Sequence, residues 1–282
     1  MQLPPVAVVD SVAMITLNRR AFLGLASFAG LGAIAAPGTP TTTPPAALPS
    51  VPDEFPTQSP ALAREMVGVS HGNLVRVNEL LKLHPTLANA AWDWGFGDWE
   101  TALGAASHVG NVDIAMALLA HGARPSIFSA AMLGQLGVVR AFVEASPGIQ
   151  ATAGPHGITL LSHAKAGGPA AKPVLDYLVD KGGADPAPQT VELPAALMER
   201  FTGVYAFGAR EIDRVAITIE KGGVRFKRGD SAARNLTYVG DNAFRPAGAP
   251  LVRVRFTLAG DQPAAELSVF DPDLVLRATR AT

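Results

Sequence analysis

Residues Thr101 to Ala123 read TALGAASHVGNVDIAMALLAHGA, and this stretch limits what its neighbours can be. Thr101 offers a hydroxyl to cap a first helix. Ala102, Ala105 and Ala106 are small enough for neighbouring helices to stack closely. Gly110 and Gly122 stand where each helix must end, since a residue without a Cβ accepts positive φ. Between them Ile114, Leu118 and Leu119 share one face of a second helix. A single helix pair of this kind cannot bury its apolar face, so the chain must repeat it.

It does. Gly72, Gly134 and Gly168 occupy places equivalent to Gly110, and the successive intervals are 38, 24 and 34 residues. Their mean is close to the ~33-residue period of ankyrin repeats, and the stretch resembles that family. Leu80 and Leu81, Phe142 and Val143, and Leu178 and Val179 stand where Leu118 and Leu119 do. The resemblance implies about four repeats over residues 61–186, the first and last degenerate as caps. The short interval implies that the hairpin between the second and third repeats is nearly absent. The long one implies an enlarged hairpin between the first and second.

The 282 residues are enough for about two domains. A formal charge of −1 gives no global field for nucleic acid. The absence of cysteine excludes disulfides, zinc–thiolate sites and thiol nucleophiles. At the N-terminus Asn18-Arg19-Arg20-Ala21-Phe22-Leu23-Gly24 resembles a twin-arginine export signal, with a weakly apolar segment to Ala36 and a small-x-small cleavage site at Ala33-Ile34-Ala35. That segment is shorter than the ~20 residues of a membrane span. Residues 1–36 are thus expected to be a signal, with Met1 or Met14 as the start and a periplasmic or secreted destination. No stable membrane span is expected after cleavage. Residues 37–60, rich in Pro and Thr, read as a disordered tether, and 187–196 as a second linker.

From Leu197 the apolar period becomes two. Val215, Ile217 and Ile219, a turn at Lys221-Gly222-Gly223, then Val224 and Phe226 form a hairpin pattern; Val252, Val254 and Phe256 continue the alternation, followed by Leu267 and Val269 and then Leu274, Leu276 and Ala278. Six or seven antiparallel strands imply a small sheet or barrel over 197–282, so the fold class is α+β, a repeat solenoid followed by an all-β domain. The run Phe201-Thr202-Gly203-Val204-Tyr205 and the closing Leu276-Arg277-Ala278 are similar to a small β domain appended to penicillin-binding-protein-like serine hydrolases. There the domain is accessory, so the resemblance implies no catalytic residue.

Ser162-His163-Ala164-Lys165 has Ser-x-x-Lys spacing, but it falls on a repeat helix and no Lys-Thr-Gly element accompanies it. The six histidines (His71, His84, His108, His121, His156 and His163) contain no His-x3-His or His-Glu-x-x-His pair, so structural roles are expected of them. Neither metal nor cofactor is expected. The arginines of the last domain, Arg214, Arg225, Arg253, Arg255 and Arg277, stand among acidic residues and read as a mixed solvated face.

The sharpest signal is aromatic: Ala91-Trp92-Asp93-Trp94-Gly95-Phe96-Gly97-Asp98-Trp99-Glu100 holds all three tryptophans, in the enlarged hairpin. Either this finger binds a partner, with Asp93 and Asp98 keeping it soluble and selecting a basic surface, or it folds back into the gap between repeats. The leading expectation is a non-enzymatic module binding an unidentified protein through Trp92, Trp94, Phe96 and Trp99 and the inner positions His108, Phe128 and Met132. The alternatives are a hydrolase-associated protein with a site at the junction of repeats and barrel, and a small-molecule carrier using the mouth of the β domain.

Overall fold

A computed structural model describes residues 54–187 and 190–281. The expected signal (1–36) and most of the tether (37–53) lie outside the described residues. Four helix pairs come first: α1 Pro60–Val69 with α2 Leu74–Leu83, α3 Ala102–His108 with α4 Val112–Ala120, α5 Ile127–Met132 with α6 Leu136–Ala145, and α7 Leu160–Ala166 with α8 Lys172–Lys181. The first helices pack in order, α1 on α3, α3 on α5 and α5 on α7. Local chemistry sets their starts. The side chains of Asn73, Thr101, Asn111 and Thr159 each accept a backbone N–H at the head of the following helix, and Ser126 and Ser129 cap reciprocally. Helix α1 opens at Pro60 on the cap Ser59, so ordered structure reaches into the expected tether.

Small residues let the pairs close. Gly110 has φ 76°, and a Cβ there would collide with the carbonyl of Ala166 on the fourth pair. Between the first and second pairs the enlarged hairpin is present as β1 Ala91–Asp93 and β2 Trp99–Thr101, antiparallel with Trp92 opposite Glu100. The link from α4 to α5 carries no such hairpin.

The C-terminal part is a closed eight-stranded antiparallel barrel: β3 Gly203–Ala206, β4 Arg214–Glu220, β5 Gly223–Arg228, β6 Arg234–Gly240, β7 Ala243–Pro246, β8 Arg253–Thr257, β9 Glu266–Asp271 and β10 Leu274–Arg280. Each strand pairs with its neighbour in sequence, and β10 closes on β3 through Thr279 opposite Ala206 and Arg280 opposite Tyr205. Alternating side chains, among them Val215, Ile217, Val224, Phe226, Val254, Phe256, Leu267 and Val269, fill the interior. The turn between β4 and β5 is two residues, Lys221 and Gly222, both at positive φ; Gly223 is already in the strand, opposite Glu220.

A helix stands where only strands were expected. Ala195-Ala196-Leu197-Met198-Glu199-Arg200-Phe201 are mostly good helix formers behind Pro194, and they form α9, Ala195–Phe201. Its last residue plugs the barrel, the Phe201 ring lying 5.1 Å from Phe244 and 4.9 Å from Phe256. The closure is clasped by polar groups. Tyr205 donates to Phe201 O at 2.9 Å, and Arg280 donates to Thr202 O at 2.6 Å and Ala264 O at 3.0 Å. The linker ahead of α9 is tied to the barrel as well, since Val191 N donates to Tyr238 O and Leu193 packs on the core. Among the described residues no helix is long and apolar enough to cross a membrane.

Candidate functional site: a cleft and a buried histidine cluster

The finger β1–β2 holds the two halves together. Trp92 and Trp94 are half-buried against the core of the first helix pairs. Phe96 reaches the barrel, where its ring meets Phe226 at 5.2 Å, nearly edge-on. Arg234 on β6 donates to Trp94 O at 2.7 Å, to Ala247 O at 2.6 Å and to Asp98 Oδ2 at 2.7 Å. Asp98 therefore has its basic partner inside the chain and, only 3% exposed, does not serve as a solubilising charge. The barrel loop comes so close that a Cβ on Gly248, at φ 78°, would lie 2.5 Å from the Asp98 carboxylate.

A cleft of about 1160 Å³ opens between finger and barrel. Trp92, Trp94 and Phe96 form one wall; Phe207, Ile212 and Phe226 form the other. Leu274 and Leu276 also line it, which accounts for apolar side chains left about half exposed on β10. Arg225 lines the cleft too, and its buried Nε has no hydrogen-bond partner.

Below the finger lies a cluster of charged and ring nitrogen atoms. Glu100, on the inward face of β2, is completely buried. His71 follows α1, His108 ends α3, and His156 sits in the Pro155–Gly157 turn before α7. His108 Nε2 is 2.9 Å from Glu100 Oε1, and the Nε2 atoms of His71 and His156 are 3.6 and 3.4 Å from Oε2. The Nε2 atoms of His71 and His108 are 3.1 Å apart. Trp94 Nε1 donates to Glu100 Oε2 at 2.8 Å, joining the cluster to the cleft wall. Behind this set, Asp98 receives the backbone N–H and the Nδ1 of His156, each at 2.8 Å, and Gly68 O lies 3.0 Å from His71 Nδ1. His156 takes φ 61°, a strained left-handed conformation that the Asp98 clamp holds in place.

The charges are strongly coupled. Burial pushes the Glu100 carboxyl up, but the contacts with His108 and His156 outweigh it and pull it down to about 2. Asp98 likewise feels its burial, overcome by hydrogen bonds from His156 and Arg234, and stays below the usual carboxylate range. Those two carboxylates, Asp98 first, raise His156 to about 9. Burial lowers His163, whose ring lies 6.5 Å from His108 and 4.9 Å from Phe128.

The residues proposed from sequence for partner contact are divided by the fold. Trp99 is exposed, at 63%, and Phe128 lines a smaller recess beside it. Trp92, Trp94 and Phe96 face the internal cleft. His108 belongs to the cluster around buried Glu100. Met132 is fully buried in the helix core and has no surface to offer a partner. In the Ser-x-x-Lys motif the Ser162 hydroxyl engages Thr159 at 2.9 Å, while Lys165 Nζ faces Asp185 at 4.0 Å. Sequence reasoning missed Glu100 and the convergence of His71, His108 and His156. The available signal was the spacing of Asp98 and Glu100, two residues apart at the start of the predicted second strand of the hairpin, where alternation puts them on one side of the chain.

Comparison with models of protein families, with curated proteins and with solved structures found no match.

Proposed function

We propose that the chain is an exported, non-enzymatic binding protein in which a stack of ankyrin-type repeats and a β-barrel clamp a finger so as to form a cleft for a small amphiphilic acid. The observation that carries this reading is the cleft of about 1160 Å³ walled by aromatic side chains from finger and barrel, a little larger than the ~300–1,000 Å³ of ordinary ligand sites. Arg225, with its unpaired buried Nε at the lining, favours an acidic group on the ligand. The helix caps and the ~33-residue period support the ankyrin assignment; Arg19-Arg20 followed by Phe22-Leu23 supports export.

The probes are dodecanoate and dodecanol, read by the tryptophan emission of a full-length Trp99→Phe chain, in which only Trp92 and Trp94, both lining the cleft, remain. The expected result is a saturable change with both and tighter binding of dodecanoate, a preference lost in Arg225→Ala. Absence of any saturable change with either probe refutes the reading. A second reading, docking of a protein partner, rests on the exposed Trp99 beside the recess of about 300 Å³ that Phe128 lines. Retention of a captured partner by Trp99→Ala would count against it.

A further inference from the structure

The cluster around buried Glu100 has more acceptors than protons to satisfy them. Gly68 O only accepts, so neutral His71 carries its proton on Nδ1, and its Nε2 presents a lone pair to His108 Nε2 at 3.1 Å. The one proton on His108 Nε2 faces that lone pair and also Glu100 Oε1 at 2.9 Å. It serves one of them, and Glu100 Oε1 is left fully buried without an aligned donor. Trp94 Nε1 and His156 Nε2 both approach Oε2, so it is Oε1 that lacks a donor, and a bare carboxylate oxygen so deeply buried is costly.

The geometry points to a divalent first-row transition ion of the zinc type, bound by His71 Nε2, His108 Nε2, His156 Nε2 and Glu100. These donor atoms all lie within 4.8 Å of one another. A tetrahedral ion with bonds of ~2.0–2.1 Å holds its donors ~3.4 Å apart; here the His71 and His156 Nε2 atoms lie 3.6 and 3.4 Å from Glu100 Oε2, His108 Nε2 lies 2.9 Å from Oε1, and the His71 and His108 Nε2 atoms are 3.1 Å apart. The ligands are already aimed. His156 gives Nδ1–H to the Asp98 carboxylate and His71 gives Nδ1–H to a backbone carbonyl, which turns both Nε2 atoms inward; the ion takes the place of the proton on His156 Nε2, which is released on binding. Three imidazoles select against magnesium and calcium, which take oxygen donors. Glu100 and Asp98 together balance the ion's two charges. Four protein donors leave no open position, the arrangement of a bracing site. The ion ties the turn after α1, strand β2, the end of α3 and the turn before α7. This inference does not depend on the cleft ligand.

The test uses the full chain, stripped with a chelator and titrated with zinc and with cobalt(II). One equivalent retained through gel filtration, with the strong visible absorption of four-coordinate cobalt, is the expected result. Failure to retain an equivalent of either ion, or the pale spectrum of six-coordinate cobalt, overturns the site. His71→Ala, His108→Ala and Glu100→Gln each abolish retention, while Asp98→Asn weakens affinity ~10–100-fold. His121→Ala, an exposed histidine on another turn, leaves binding unchanged. Full retention in a folded His71→Ala chain also overturns the proposal; because that ring is partly exposed, this variant decides where His108→Ala fails to fold.

Discussion

Arg234 is the residue whose removal most directly tests the docking of finger on barrel. Its guanidinium, 11% exposed, reaches Asp98, Ala247 O and Trp94 O at 2.6–2.7 Å, and the Asp98 side chain is 2% exposed. Arg234→Ala leaves a buried carboxylate short of one cation and two carbonyls short of a donor. Breaking a buried ion pair costs ~3–5 kcal/mol. Asp98 keeps both bonds to His156, so the lower end applies, about 3 kcal/mol or roughly 150-fold in the folding equilibrium. With a urea slope of about 2.5 kcal/mol/M, the unfolding midpoint falls by about 1.2 M. Arg234→Lys keeps the charge but not the fork, and loses about half as much. Urea unfolding followed by tryptophan emission measures both variants. A shift for Arg234→Ala under about 0.4 M, the scale of an exposed ion pair, would refute the argument that this contact is buried and holds the finger down.

Three more outcomes follow from the same geometry. In chelator-treated protein, the raised His156 stabilises fully below its ordinary 6.5 and loses that contribution as pH rises through about 9, whereas the lowered Glu100 contributes above 4.5 and is lost as pH falls through about 2. The thermal midpoint should therefore be highest between about pH 4.5 and 6.5, with an alkaline decline that His156→Gln flattens; a level profile from 6.5 to 9 in the unaltered chain would contradict this. Tyr205→Phe removes the bond to Phe201 O and the hydroxyl beside Arg280, costing about 1–2 kcal/mol by urea unfolding; no loss would show that the clasp does not hold the barrel shut. Replacing Arg19 and Arg20 by lysine should leave the chain in the cytoplasm of a twin-arginine-competent bacterium, as read by cell fractionation, and undiminished export would dismiss that route.

Local order was legible in the chain because local order has short-range causes. Asn73, Thr101, Asn111 and Thr159 cap helices through contacts three residues away, and Val215, Ile217, Val224, Phe226, Val254 and Phe256 reveal their inward face by alternation. From the sequence, the Thr101 cap, the helix-ending glycines and the apolar periods located the helix pairs, the long glycine interval the enlarged hairpin, and alternation most strands. They failed at α9, where a strand was expected to follow a linker directly and a short helix plugs the barrel instead.

The site belongs to the other category. His71 and His108 are 37 residues apart, and His156 is 58 residues from Asp98, so a search for metal-ligand spacing within one helix cannot find them. They meet because stacking puts the ends of successive helix pairs side by side, and because β2 then carries Glu100 beneath them. The same holds for Asp98 and Arg234, 136 residues apart. Charge along the chain made Asp98 look like a surface residue; burial against the barrel makes it the clamp of His156. Sequence by itself determined the capped helix pairs and the alternating strands, through interactions spanning two to four residues. Only the tertiary structure decided which of their side chains became a buried centre, because that depends on how the units pack against one another.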